Sequence, residues 1–216
     1  MLYLIYVTYI VPAAILIPVL TGIKNYNFLT KPLKVILWFL VFQGFANVIN
    51  LTMIAFHYYT TPLFHVYSIF EFLFISLFYS KFYSVKKQKS IYALIAVFTV
   101  LCIINYLFIQ NKIEFNTYTR PLEAIIIIVY SMLFILKQNN EEQNWGDDAY
   151  NWINAGILIY FASCLFMFIF SNYLLGAGKL INRIVWGAHD TILLLQYILF
   201  AVGLYKCKTQ RITSTY

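Results

Sequence analysis

Seven apolar stretches, each long enough to cross a bilayer, take up nearly all of this 216-residue chain. A transmembrane helix needs about 20 mostly apolar residues, whereas a transmembrane strand needs about half that number. Spans are expected at Leu2–Ile23, Leu33–His57, Phe64–Tyr83, Ile91–Gln110, Leu122–Lys137, Asn151–Leu175 and Ile181–Tyr205. The expected fold class is all-α: a polytopic membrane protein whose seven-transmembrane-helix bundle forms a single domain over residues 1–216. Charged residues make up 11% of the chain, against about 25% in a soluble domain. The linkers are too short for a kinase, nuclease or nucleotide-binding unit. Any signal sent inward is therefore expected to pass through a partner or through movement of the helices.

A net charge of +7 raises nucleic acid as a partner. The distribution argues for the lipid bilayer instead, because Lys and Arg collect on the cytoplasmic side of membrane proteins. Eleven basic residues fall on one set of span ends, among them Lys24, Lys31, Lys34, Lys86, Lys87 and Lys206. The opposite set holds only Lys112, Arg120, Lys179 and Arg183. The expected topology has the N-terminus outside and the C-terminus in the cytoplasm. The first segment lacks the basic n-region of a signal peptide and is kept as a helix, bent by Pro12 or Pro18. Three cysteines give no disulfide framework.

Polar residues inside spans are costly, and those that can ionise are functional or paired. At 1.5 Å per residue, Asn50 and Glu71 each lie ~10 Å below the outer end of their helices, and His189 and Asp190 ~12–14 Å below theirs. Arg120 and Glu123 open the fifth span, and Arg183 opens the seventh. Asn105 is shallower in the fourth. The inner half of the core reads as mostly Leu, Ile, Phe and Val. Helical spacing places Gln43, Asn47, Asn50 and His57 on one stripe, and Arg183, Trp186, Asp190 and Tyr197 on one face. Both are expected to turn inward, since lipid cannot satisfy them. Two readings stay open for this set: interhelical hydrogen bonding, or an outward-facing pocket for a small polar ligand. In the second, the ligand-binding residues are Asn47, Asn50, Glu71, Arg120, Glu123, Arg183, His189 and Asp190. Glu71 is expected to pair with a cationic group of the fifth or seventh helix.

Other chemistries find less support. A retinal protein needs a lysine within the last helix, which has lysines only at its flanks. A zinc site needs converging ligands, whereas His57 and His65 read as interfacial residues well above His189. No metal or cofactor is expected. No GxSG element marks an intramembrane serine protease. Asn47-Val-Ile-Asn50 resembles Asn151-Trp-Ile-Asn154, but the two pairs lie at different depths, so an internal repeat is not inferred. The acidic linker Gln138–Tyr150 reads as a solvated turn, with partner docking as the alternative.

The segments Phe115-Asn-Thr-Tyr-Thr-Arg-Pro-Leu-Glu123 and Asn151-Trp-Ile-Asn-Ala-Gly-Ile-Leu-Ile-Tyr-Phe161, with Lys31-Pro-Leu-Lys34, give the chain a resemblance to a group of small seven-helix membrane proteins of Bacteroidota. That resemblance spans most of the chain, fits a bacterial cytoplasmic (inner) membrane, and brings no active residues with it. The leading expectation is a module that senses a small extracytoplasmic ligand and relays a signal to a separately encoded partner. A small-molecule or ion transporter using Glu71 and Asp190 is the alternative, and an intramembrane enzyme ranks below both. Ligand, partner and oligomeric state are not legible in the sequence.

Overall fold

The computed structural model describes residues 2–138 and 144–213, with side chains from Tyr3 to Lys208 outside the central gap. Among the described residues there are seven long helices: α1 (Tyr3–Lys24), α2 (Lys31–Ala55), α3 (Thr61–Ser80), α4 (Val85–Ile109), α5 (Thr119–Gln138), α6 (Ala149–Gly176) and α7 (Lys179–Thr213). Each is long and apolar enough to cross a membrane. Large apolar side chains such as Phe45, Val97, Leu136 and Phe166 are exposed around the outside of the bundle. A soluble monomer rarely leaves such a surface uncovered.

Contacts show that successive helices alternate in direction. At one end, Asn25 Nδ2 donates to the Leu204 carbonyl at 3.2 Å, the Tyr150 and Thr30 hydroxyls bond at 2.8 Å, and Lys206 pairs with Asp147 at 3.2 Å. This end carries the C-terminal helix end and is called the C-terminal face. At the other, the N-terminal face, the start of α1 meets the start of α7, and the turns α2–α3, α4–α5 and α6–α7 gather.

Several helix ends differ from the expected spans, for identifiable reasons. α2 stops at Ala55, and His57 takes a left-handed φ of 59° in the turn beyond it. His57 is exposed there and leaves the polar stripe of α2. α4 starts at Val85, six residues early, because Lys86, Lys87 and Lys89 form solvated helical turns ahead of the apolar run. α5 starts at Thr119 because Asn116 Oδ1 accepts from the Thr119 and Arg120 amides at 3.0 and 3.3 Å. Such a cap satisfies amides that no helix can bond internally. α6 and α7 are separated by Gly178, whose φ of 94° suits a residue without Cβ. Asp147 and Asp148 serve the linker itself: Asp147 meets Lys206, and Asp148 accepts from the Tyr150 amide at 2.8 Å to cap α6. Glu141 and Glu142, where partner docking was the alternative reading, lie outside the described residues.

α1 is broken in two places by its prolines. The Val11 amide bonds back to the Tyr6 carbonyl, a π-type turn over Tyr6–Ile10 just before Pro12. The helix is interrupted again at Ile15, three residues ahead of Pro18. Each Pro lacks the amide that would continue the ladder four residues back. α4 ends in a second π-type turn, Asn105–Ile109, with the Gln110 amide on the Asn105 carbonyl at 2.9 Å. Insertions of this kind recur at functional sites.

The core runs along α6, which packs on α5 and α7, and along α2 and α3 beside it. Phe39, Phe72, Ile75, Ile127, Ile157, Phe161 and Phe200 are fully buried. Lipid offers no hydrophobic drive between helices, so close packing does the work. A Cβ added at Gly203 of α7 would lie 2.9 Å from the Ala149 carbonyl oxygen of α6. Gly203→Ala is therefore expected to cost about 1–3 kcal/mol through forced separation of the two helices. An unfolding midpoint in detergent equal to that of the wild type would contradict this packing.

Candidate functional site

The site begins with the sequence that caps α5. Asn116 starts the helix, which sets Arg120 in its first turn and Glu123 one turn later. From there Arg120 reaches across the bundle to Glu71 in the middle of α3, and Nη1 pairs with Glu71 and, at 2.9 Å, with Glu123 Oε2. Glu71 and Glu123 are 1% and 0% exposed. One guanidinium thus faces two carboxyl groups. Tyr67 donates its hydroxyl to Glu71 Oε1 at 3.2 Å. The guanidinium also stacks against Phe168, 4.5 Å from its ring centre.

The network continues to α6 and α7. Arg120 Nη2 donates to the Tyr160 hydroxyl at 3.3 Å, which lies 3.2 Å from His189 Nε2. His189 Nδ1 is 3.0 Å from Asp190 Oδ1. A hydroxyl that accepts from Arg120 is free to donate to Nε2, which leaves the Nδ1 hydrogen for Asp190. Four helices are therefore joined by one unbroken chain: Glu123 and Glu71, Arg120, Tyr160, His189, Asp190.

Above this network, toward the N-terminal face, lies a cavity of about 700 Å³. Of the expected site residues, Asn47, Asn50, Arg120, Arg183, His189 and Asp190 line it. Glu71 and Glu123 do not reach it and sit behind Arg120. Arg183 makes no ion pair among the described residues and lies over Tyr3, 5.2 Å from the ring centre. Tyr67, Tyr160, Phe168, Trp186, Asn182 and Lys179 also line the cavity, as does Gln43 from the stripe of α2. Its rim is held by the α4–α5 loop. The Phe115 amide donates to Asn172 Oδ1 at 2.8 Å, the Asn172 amide returns to the Phe115 carbonyl at 3.0 Å, and His65 Nε2 meets the Glu114 carbonyl at 3.1 Å. Two lining acceptors, Gln43 Oε1 and Asn50 Oδ1, have no hydrogen-bond partner among the described residues. Buried polar atoms ordinarily have one.

His65, near the start of α3, is 3% exposed, packed on Tyr106 and bound to the α4–α5 loop. Asn105 is buried in the π-type turn and donates to Gln110 Oε1 at 3.2 Å. The half of the core toward the C-terminal face also holds buried polar groups. Asn154 Oδ1 accepts from the Tyr79 hydroxyl at 2.7 Å and the Ser131 hydroxyl at 2.8 Å. This buried triad ties α3, α5 and α6 together below the ion network. Asn154→Leu removes the acceptor for both hydroxyls and is expected to cost about 1–2 kcal/mol. The unfolding midpoint in detergent measures it, and no change would mean the triad adds nothing.

Between the ion network and the triad, Phe72, Ile75, Ile127, Ile157 and Phe161 close the bundle with 0% exposure. No group of three His, Cys, Asp or Glu side chains is placed to hold a metal ion among the described residues. The arrangement can hold a molecule, sense its charge through Arg120 and His189, and couple it to four helices at once.

No protein-family model, curated protein or solved structure matches this chain.

Proposed function

We propose that this chain is a multi-pass protein of a bacterial cytoplasmic membrane, with the N-terminal face outside, that binds a small extracytoplasmic ligand and passes the signal to a separate partner through its helices. The observation that carries this reading is the cavity over a buried Arg120–Glu71–Glu123 network. A ligand touching Arg120, Tyr160 or His189 acts on α3, α5, α6 and α7 together. Positive charge is sparse at the N-terminal face, as expected of an outer surface. The closed apolar layer below the network supports sensing over conduction.

A transporter is the second reading. The run of ionisable groups from Asp190 to Glu123 favours it, because such chains serve as proton and ion relays in pumps and transporters. One experiment separates the two. Purified protein in proteoliposomes is presented with a library of small anionic and zwitterionic metabolites, and both thermal stabilisation and uptake are recorded. Stabilisation without uptake is the result expected of a sensor. Uptake that is lost in Glu71→Gln would replace the sensor with the transporter, and the absence of both would remove the ligand site.

A further inference from the structure

Resting on the ligand-site reading above, we infer that the cavity takes an anionic amphiphile: a carboxylate or phosphate-ester head held by Lys179 and Arg183, with an acyl chain lying in the cavity below. The first support is charge. Lys179 and Arg183 lie one turn apart at the start of α7, both are exposed at the cavity rim, and neither has a carboxylate within salt-bridge distance among the described residues. Deeper in the cavity Arg120 is already held by Glu71 and Glu123, and Asp190 is hydrogen-bonded to His189. At the rim itself, Lys179 and Arg183 make the charge positive. Lys and Arg at such a rim suit the ester phosphates and carboxylates found at headgroup depth.

The second support is the wall. Below the rim part of the wall is apolar, formed by Val7, Val11, Met167, Phe168 and Leu193, surface that a free polar metabolite would leave uncovered. Its volume of about 700 Å³ is in the range that encloses a whole small ligand.

The third support is the route. The first half of α1 rests on α7: Tyr6 bonds Thr191 at 3.0 Å, and Tyr3 packs so closely that a Cβ on Gly187 would lie 3.2 Å from its ring. It makes little contact with α2, although Gln43, Asn47 and Asn50 of α2 form the facing wall. None of the side chains in the π-type turn Tyr6–Ile10 is buried. The thin side of the cavity therefore faces the surroundings of the bundle between α1 and α2, where an acyl chain enters sideways. The unpartnered Gln43 Oε1 and Asn50 Oδ1 on that wall are acceptors and suit hydroxyl donors of a bound molecule.

The same anionic-amphiphile chemistry is offered by a membrane phospholipid and by a free fatty acid. The test uses purified protein in mild detergent, native mass spectrometry and thermal shift. The probes are palmitate, lysophosphatidylglycerol with a 16-carbon chain, the neutral monoacylglycerol of equal chain length, and glycerol 3-phosphate alone. The two anionic amphiphiles are expected to bind at least about tenfold more tightly than the neutral one. Removing two methylenes from the chain is expected to weaken binding roughly 15-fold. Lys179→Gln/Arg183→Gln, two exposed positions whose change leaves the core intact, is expected to abolish the preference for the anionic head. Tighter binding of palmitate would point to a free fatty acid, and tighter binding of the lysophospholipid to a membrane source; either supports the inference. Equal binding of the neutral lipid, a preference that survives the double variant, or binding of glycerol 3-phosphate as tight as that of the lipids would overturn it. If a water-soluble metabolite stabilises the protein while none of the amphiphiles does, this inference falls and the ligand-site reading stands.

Discussion

Arg120→Ala is expected to destabilise the protein by about 3–5 kcal/mol, the cost of leaving buried charge without its partner. Glu71 and Glu123 are both buried, and Arg120 is the cation that meets them. Its removal also leaves Tyr160 without one of its two hydrogen-bond partners. The variant should be recovered in low yield, with a lower unfolding midpoint in detergent. The triple variant Arg120→Met/Glu71→Gln/Glu123→Gln should regain most of that stability, since swapping a whole buried ionic group for neutral residues is often close to neutral. If the triple variant is no more stable than Arg120→Ala, the loss comes from packing against Phe168 and Tyr67 rather than from charge. If Arg120→Ala melts with the wild type, the network does not hold the helices together.

The largest functional effect is expected from filling the cavity. Asn47 lies on its α2 wall, is half-buried, and faces open space that an indole would occupy. Asn47→Trp should leave the unfolding midpoint close to that of the wild type and weaken ligand-induced stabilisation by at least about 100-fold, because a blocked pocket loses most of its contacts at once. Arg120→Ala and Asn47→Trp thus separate the two roles: the first is expected to lower stability, the second to remove binding from a protein that still folds. Unaltered ligand stabilisation in Asn47→Trp would place the binding site elsewhere.

The helices were legible in the sequence because lipid-length apolar runs leave few alternatives. Their ends were less so. Hydropathy stops counting at the first lysine, whereas the backbone of α4 stays helical through Lys86, Lys87 and Lys89. Conversely, the apolar run of α2 passes through Phe56 to His57, but the backbone turns after Ala55.

At the site, residues with formal charge stood out: Glu71, Arg120, Glu123, Arg183, His189 and Asp190 are rare within spans. A cation of the fifth or seventh helix is expected for Glu71, but the sequence does not say which one. Arg120 and Arg183 lie at similar depths, and only the structure shows that Arg120 meets the two acids while Arg183 lies over Tyr3 at the cavity rim. Tyr160 was missed because it is one of 19 tyrosines, most with no polar task that spacing reveals. Asn154 was noticed only as half of an apparent repeat. The structure gives its two asparagine pairs different work: Asn47 and Asn50 line the cavity, Asn151 bonds the Trp145 carbonyl at 3.1 Å, and Asn154 collects two hydroxyls.

The account rests on a cavity that is open to the outside at the N-terminal face and sealed from the C-terminal face. Cysteine labelling in intact cells measures this most directly. In a background of Cys102→Ser, Cys164→Ala and Cys207→Ala, single cysteines are placed at Asn47 in the cavity wall, Ser131 in the buried triad below the sealed layer and Asp147 on the opposite face. A membrane-impermeant thiol reagent added outside is expected to label Asn47→Cys in intact cells. Asp147→Cys should react only after the membrane is permeabilised, and Ser131→Cys in neither condition. Labelling of Asp147→Cys from outside, with Asn47→Cys reached only after permeabilisation, would contradict the orientation; an Asn47→Cys that never reacts would contradict the cavity itself.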